Sequence, residues 1–371
     1  VTPSCDGRIN DANRIVVKIG SSSLSRDDGG LDLNRIDSVA RLVSKWKTPG
    51  KEIIIVSSGA VAAGLDPLGF NSRPRDLASV QAAAAMGQGL LVARWTAAFQ
   101  AHHLDVAQLL LTTEDVMRRE HYTNVRSALD RLLSCGVVPI INENDAVTTR
   151  ELRFGDNDRL ASYVAQMVAA DALILLTDVD GLYTAPPSHP GSQLIREVHS
   201  TDDLHAVLVT GSGSKVGTGG MVTKVQAATM AATSGIGVVL TSADELGTAL
   251  SGSATGTWFA PSSVRPASRR LWIAHVAHSR GEIIVDEGAG RAITAGKKSL
   301  LAAGVVRIIG HFDLGDVVDI AGPAGLLARG IVSYDSDEVA HMAGLSAEDL
   351  RLSGWEHPRP IVHRDDLAPL V

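Results

Sequence analysis

KEIIIVSSGAVAAG, residues 51–64, joins an unbroken apolar run to a Ser-Ser-Gly turn and then to a stretch of small residues. An apolar run without polar alternation marks a strand covered on both faces, which is the habit of parallel sheets flanked by helices. The small residues that follow predict a helix whose start, at Ser57, Ser58 and Gly59, can accept a carboxylate or a phosphate. Five other runs repeat the pattern: RIVVKIGSSS (14–23), VAQLLLT (106–112), VVPIINENDAV (137–147), ALILLTDVDGLY (172–183) and IGVVLTS (236–242). The expected fold is therefore α/β with a mostly parallel sheet. Ligands of such sheets bind beyond the carboxyl ends of the strands, and the polar residues of nearly every unit sit there.

A chain of 371 residues suggests two domains. The texture changes at APSSVRPASRR (260–270), a Pro/Ser/Arg linker, and the expected division is 1–272 and 273–371. Beyond it GEIIVDEGAG, GVVRIIGHF, GDVVDIAGPAG and ARGIVSYDSDEV predict a small β-rich domain, with one helical segment at KKSLLAAG (297–304). The net charge of -7 argues against a general affinity for nucleic acid or anionic membrane. From His275 onward there are 9 Lys+Arg against 14 Asp+Glu, a net of -5, so the tail is the more acidic piece.

Cys5 and Cys135 are the only cysteines, and LLSCGVVP places the second in a core or strand-edge context. They offer no disulfide framework, which suits a cytoplasmic protein. The polar opening VTPSCDGRINDANR is unlike a secretory signal, and no uncharged apolar run is long enough to span a bilayer.

Several residues could carry chemistry. Lys18 lies inside an apolar strand, where a lysine must snorkel, pair or serve a ligand, and Gly20 to Ser23 behind it could supply donors to an anion. GTGGMVTK (217–224) puts glycines and Lys224 at the mouth of an alanine-rich helix, a phosphate site of non-Walker type. INENDAV gathers Asn142, Glu143, Asn144 and Asp145 beyond a strand, and FGDNDRLA puts Asp156, Asn157 and Asp158 at a helix start. Helix caps and Asx-turns would explain one such cluster; two of them fit a ligand that carries an amine and wants amide donors. Thr177 and Asp178 end a strand where a nucleotide or Mg²⁺ could lie, whereas Asp180 with Gly181 reads as a turn. The histidines lack zinc spacing and no nucleophile motif is present. Two lysines, three Gly-rich helix starts and an Asp among amides suit phosphoryl transfer to a substrate that is itself the nucleophile.

VVKIGSSSL, IVSSGAVAAG, PIINENDAV, FGDNDRLA, LLTDVDGLY and GTGGMVTK, in this order and spacing, resemble the amino acid kinase family, in its branch that acts on glutamate. The tail, with GKKSLLAAGV, GDVVDI and ARGIVSYDSDE, is similar to a PUA domain, so the likeness covers nearly the whole chain. The resemblance implies a three-layer αβα sandwich followed by a PUA-like β-barrel domain. It implies ATP as phosphoryl donor, with Mg²⁺ carried by the nucleotide. It assigns the phosphates to Lys18 and to Thr218, Gly219, Gly220, Met221, Val222, Thr223 and Lys224, with further nucleotide contact at Thr177 and Asp178. Glutamate would be held by Ser58, Asp145 and Asn157 with Asn142 nearby, and Asp158 would orient the two lysines. The implied reaction makes γ-glutamyl phosphate, the first step of proline synthesis. Proline as feedback inhibitor, homo-oligomers and delivery of the acyl phosphate to a following enzyme are implied as well.

Two alternatives stay in view. Kinases of acetylglutamate or aspartate share the fold, although the INENDAV and GDND pair favours glutamate. An RNA-binding role through the PUA-like tail is the other, and the tail's net -5 weighs against it.

Overall fold

Each of the six apolar runs becomes a strand: β1 (Arg14–Ile19), β2 (Glu52–Ser57), β3 (Val106–Leu111), β4 (Val138–Glu143), β5 (Ala172–Thr177) and, after the two-residue strands β6 (Leu182–Tyr183), β7 (Leu194–Ile195) and β8 (Glu197–Val198), β9 (Gly237–Ser242). With β10 (Thr257–Phe259) they build an eight-stranded sheet of order β3-β4-β2-β1-β5-β9-β10-β8. The computed structural model describes residues 9–26, 30–148, 157–204, 220–263, 273, 279–294, 298–323, 325–355 and 358–370. Pairing is parallel from β3 through to β9, and β10 runs antiparallel to β9. β1 lies between β2 and β5, so the chain leaves it toward one edge and later returns to its other side. That reversal opens a crevice at the carboxyl ends of β1, β2 and β5.

Helices cover both faces. On one face the alternate side chains Ile15 and Val17 of β1, Ile53 and Ile55 of β2 and Ile174 of β5 share a core with Ile36, Val39, Ala40 and Val43 of α2 and with Leu91, Trp95 and Phe99 of α4. The short α1 (Ser21–Leu24) precedes α2 (Leu33–Trp46), which Asp32 caps by accepting from the Arg35 N–H; its buried positions recur every three or four residues, as a helix resting on a sheet requires. α3 (Ala60–Leu65) and α4 (Leu77–Gln100) follow β2, and α5 (Thr113–Met117) and α6 (Arg119–Ser134) lie between β3 and β4. α7 (Asn157–Met167) and α8 (Met221–Thr233) take the other face, where α7 packs on β1 and β5 and α8 on β5 and β9. α9 (Leu246–Leu250) returns to the α2 side. The αβα sandwich is thus present.

α3 and α4 meet at two glycines. A Cβ on Gly87 would lie 1.8 Å from the Ala60 carbonyl oxygen, and one on Gly64 would lie 1.9 Å from that of Ala83. Only hydrogen fits at either position, so the two backbones touch along this seam.

The chain divides into two compact units, residues 1–116 with 120–265 and residues 117–119 with 266–371. In the second unit β11 (Gly281–Val285), β12 (Val305–Gly310), β13 (Val317–Gly322), β14 (Gly325–Val332) and β15 (Val362–Pro369) form a five-stranded sheet of order β12-β11-β13-β14-β15. Register shifts at Ile284/Val285, Ile320/Ala321 and Gly330/Val332 bend it around Ile283, Phe312, Val318, Ile320 and Leu367.

Two sequence expectations are corrected. KKSLLAAG is not a helix: Leu300 exchanges backbone hydrogen bonds with Val362, and only Ala302–Gly304 forms a 3₁₀ turn. The bridge to β15 takes the backbone groups that a helix would use, and Lys297 lies outside the described residues. Among the described residues the helices of this unit are instead Glu287–Thr294, Ser336–Met342 and Ala347–Leu352, the last two each opened by a reciprocal capping box, Asp335 with Glu338 and Ser346 with Asp349. Cys135 is exposed rather than in a core or strand edge. It stands in the turn that ends α6, where Gly136 at φ 79° reverses the chain ahead of β4.

Candidate active site

A lysine in the middle of a sheet needs a counter-charge. Lys18 is 2% exposed and pairs in register with Val56 and Leu175, and it shares parity with Val16, so its side chain rises on the α7/α8 face. There its Nζ lies 2.5 Å from one oxygen of Asp158. The other oxygen is 3.0 Å from Nζ of Lys224, in the first turn of α8. Asp158 is completely buried in the first turn of α7, where the positive end of the helix dipole favours its charge. One carboxylate thus holds two ammonium groups from segments far apart in sequence, and burial makes each charge depend on the others.

α8 starts without a side-chain cap. Gly220 sits at its N-cap in extended conformation, and the Thr223 hydroxyl donates back to the Gly220 carbonyl. The start of a helix offers its dipole and first-turn backbone to an anion, here beside Lys224. Met221, Val222, Thr223 and Lys224 are helical rather than loop residues, and Val222 is exposed. Thr218 and Gly219 lie outside the described residues. At the end of β5, the strand beside β1, Thr177 is buried and Asp178 accepts from the Ser22 hydroxyl at 2.7 Å.

The amide cluster assembles next to the ion triad. Asn157 Nδ2 lies 2.8 Å from Ser58 Oγ, 2.8 Å from Asn142 Oδ1 and 3.1 Å from the Ser57 carbonyl. The Asn142 oxygen also accepts from the Glu143 N–H, and its Nδ2 donates to Gln88 Oε1 at 2.8 Å. The ends of β2 and β4 and the start of α7 are laced together in this way. The two hydrogens of the Asn157 amide nitrogen are shared among these three acceptors. The Ser58 hydroxyl, which accepts from Asn157, gives its own proton to no described residue, and Asn157 presents its oxygen.

Asp145 is half-buried in the turn after β4, which is closed by the Thr148 N–H and hydroxyl on the Asn144 carbonyl and docked on β3 by the Asn144 N–H on Leu111. Gln81 of α4 reaches the Thr148 carbonyl. At the end of β3, burial alone would raise the Asp115 carboxyl, but hydrogen bonds from the Thr112 N–H and hydroxyl, and His121 beside it, hold it below its ordinary value. Among the described residues no group of three or more His, Cys, Asp or Glu is arranged to hold a metal, and no helix is long and apolar enough to cross a membrane.

Sequence reasoning marked Ser57 at a helix start and passed over Gln88. Ser57 accepts from the Trp95 indole N–H at 3.1 Å, which ties the strand end to α4. Gln88 is buried in α4, and its signal was an amide between two glycines in the otherwise small and apolar stretch AAAAMGQGL.

The model of the amino acid kinase family matches residues 13–242, and that of the PUA domain matches residues 281–352. The chain is 53% identical over 360 residues to a glutamate 5-kinase of Bifidobacterium longum (strain DJO10A), covering 96% of each chain. To a glutamate 5-kinase of Salinispora arenicola it is 51% identical over 366 residues, covering 98% of this chain and 99% of the other. Among solved structures, carbamate kinase from Giardia lamblia bound to AMP-PNP shares the fold, with a TM-score of 0.51 at 17% identity over 68% of this chain and 99% of that one.

Proposed function

The chain belongs to the amino acid kinase family, and on that premise we propose that it transfers the terminal phosphoryl group of ATP to the γ-carboxylate of L-glutamate, giving ADP and γ-glutamyl phosphate for proline synthesis. The observation that carries this reading is the Lys18–Asp158–Lys224 triad standing beside the Ser58–Asn157–Asn142 cluster. One half suits phosphates and the other suits an amino acid.

In the reaction a γ-carboxylate oxygen attacks the terminal phosphorus, a new O–P bond forms, and the bond to the bridging oxygen breaks with its electron pair leaving on ADP. A free carboxylate, with pKa about 4.3, is ionised at neutral pH, so no protein base is required. The barrier falls through placement and charge. Lys18 and Lys224 meet the negative charge spread over the transferring group, while Asp158 keeps both ammonium groups apart and aimed. The N-terminal end of α8 receives nucleotide phosphate oxygens, and Thr177 and Asp178 border the nucleotide. The Ser58 hydroxyl donates to a substrate carboxylate, and Asp145 pairs with the α-ammonium group.

Mg²⁺ belongs on the nucleotide in this reading. Asp158 is engaged by two lysines and Asp178 by Ser22, and the donors of the site are chiefly amines and amides, which suit phosphates and carboxylates better than a hard cation. All of these residues lie in the first compact unit, so catalysis is assigned to it. The reading includes self-association through α4, whose 24 residues carry one charge, Arg94, and whose outward face exposes Met86 at 45% and Leu90 at 43% with Ala85, Gly89 and Ala93.

Turnover of glutamate and ATP in the presence of hydroxylamine traps the acyl phosphate as a hydroxamate. N-acetylglutamate and aspartate are the controls. Hydroxamate formed from either of these in preference to glutamate would reject the assignment.

A further inference from the structure

Gln88 carries no group that the proposed reaction uses, yet it sits at the base of the amide cluster. It is 8% exposed, and its Oε1 accepts from Asn142 Nδ2 at 2.8 Å. Its own Nε2 is shielded from solvent and has no hydrogen-bond partner among the described residues. A buried amide with its nitrogen unpaired is costly, so the favourable contribution of this side chain lies in its oxygen.

That oxygen stands at one end of a directed chain. The orientation of each amide is set by a backbone group that can act in one sense only. The Glu143 N–H, 2.9 Å from Asn142 Oδ1, requires the oxygen of Asn142 there and so turns its nitrogen toward Gln88. The Ser57 carbonyl, 3.1 Å from Asn157 Nδ2, requires the nitrogen of Asn157 there. Asn157 then donates to both Asn142 and Ser58, and the Ser58 hydroxyl is left with a proton to give.

We propose that Gln88 is a positioning residue which, through Asn142 and Asn157, fixes the Ser58 hydroxyl as a donor to the carboxylate of the bound amino acid. The proposal builds on the reading of this cluster as the glutamate site. Without an acceptor at position 88 the Asn142 amide loses the partner of its nitrogen and is free to rotate. Asn157 then loses its fixed acceptor, and Ser58 can spend its proton on the Asn157 oxygen. The glycine seam beside Gln88 makes the geometry rigid, because Gly87 and Gly64 hold α4 against the helix that Ser58 and Gly59 introduce.

The test is a double-mutant cycle on the full chain, followed by hydroxamate formation and thermal unfolding. Gln88→Met should raise the KM for glutamate about tenfold and leave the KM for ATP within about twofold, at a melting temperature close to the parent's. Ser58→Ala should raise the glutamate KM as well, and the double variant should lie within about twofold of Ser58→Ala, since the two residues act along one path. Independent, multiplying effects would overturn the proposal, as would an unchanged glutamate KM in Gln88→Met. Should Gln88→Met fail to fold, Gln88→Glu decides. It keeps the size and an oxygen for Asn142, so a glutamate KM within about threefold of the parent's is expected, and a rise of tenfold or more would overturn the idea. A parent protein that makes no hydroxamate from glutamate would sink the site reading itself, whereas an active parent with multiplying variants sinks the relay alone.

Discussion

Lys18 and Lys224, 206 positions apart in the sequence, hold opposite oxygens of the same buried carboxylate, at 2.5 and 3.0 Å from Asp158. Removing that charge leaves Lys18 buried without it. Asp158→Asn should therefore lower stability by about 3–5 kcal/mol, the usual consequence of breaking a buried ion pair from one side. Urea denaturation of the unliganded variant measures it, and a midpoint equal to the parent's would contradict the role given to the triad.

Lys224 faces the phosphoryl group rather than the amino acid in this mechanism. Lys224→Met should lower kcat by about a hundredfold or more, comparable to deleting one donor to a developing anion. A kcat near the parent's would remove Lys224 from the chemistry.

Asp145 should act on binding. Asp145→Ala ought to raise the KM for glutamate by on the order of a hundredfold, equivalent to about 2–3 kcal/mol for a charge-assisted hydrogen bond, with little change in the KM for ATP. The opposite split, ATP weakened and glutamate spared, would assign INENDAV to the nucleotide.

Gly87→Ala tests the seam between α3 and α4. The added Cβ would meet the Ala60 carbonyl oxygen at 1.8 Å and the Gly64 nitrogen at 2.5 Å, so one helix must move. We expect a loss of about 3 kcal/mol together with a raised glutamate KM, because Ser58 precedes the helix that shifts. Unchanged stability would mean that the two backbones separate without strain.

Asp115 gives a pH signature. Its carboxyl is held below its ordinary value of 3.8 in the folded chain, so its contribution is complete above 3.8 and fades as the pH falls through the folded value. Asp115→Asn should therefore be less stable than the parent at pH 7, with the gap narrowing on strong acidification. Denaturation midpoints across the acid range would show it, and a gap that widens toward low pH would be the wrong sign.

The central sheet was legible in the sequence because burial on both faces leaves unbroken apolar runs, as in EIIIVS and ALILLT, and because the polar residues follow directly at the strand ends. Lys18 was legible for the same reason, a charge being conspicuous in such a setting, and Lys224 through the glycines before its helix. Gln88 was not, since a single amide inside a helix gives no sign of facing a site until β4 is placed beside it. The KKSLLAAG segment failed because helix propensity is local, whereas the bridge from Leu300 to Val362 joins residues far apart in sequence. Nor could the sequence tell that Asn157 spends its nitrogen on Ser57, Ser58 and Asn142, for that depends on three elements converging.

On the proposed reading the shared carboxylate would also govern which anions the site tolerates. Two bare ammonium groups beside an open helix start would form a general trap for sulfate, inorganic phosphate and other small anions abundant in solution. With Asp158 between them, a visiting anion must compete with a charge already in contact with both lysines. A small ion offers few further contacts to offset that competition, while a nucleotide adds those of its base and sugar. On the proposed reading the buried aspartate would act as a threshold, making occupancy depend on the whole ligand rather than on its charge alone.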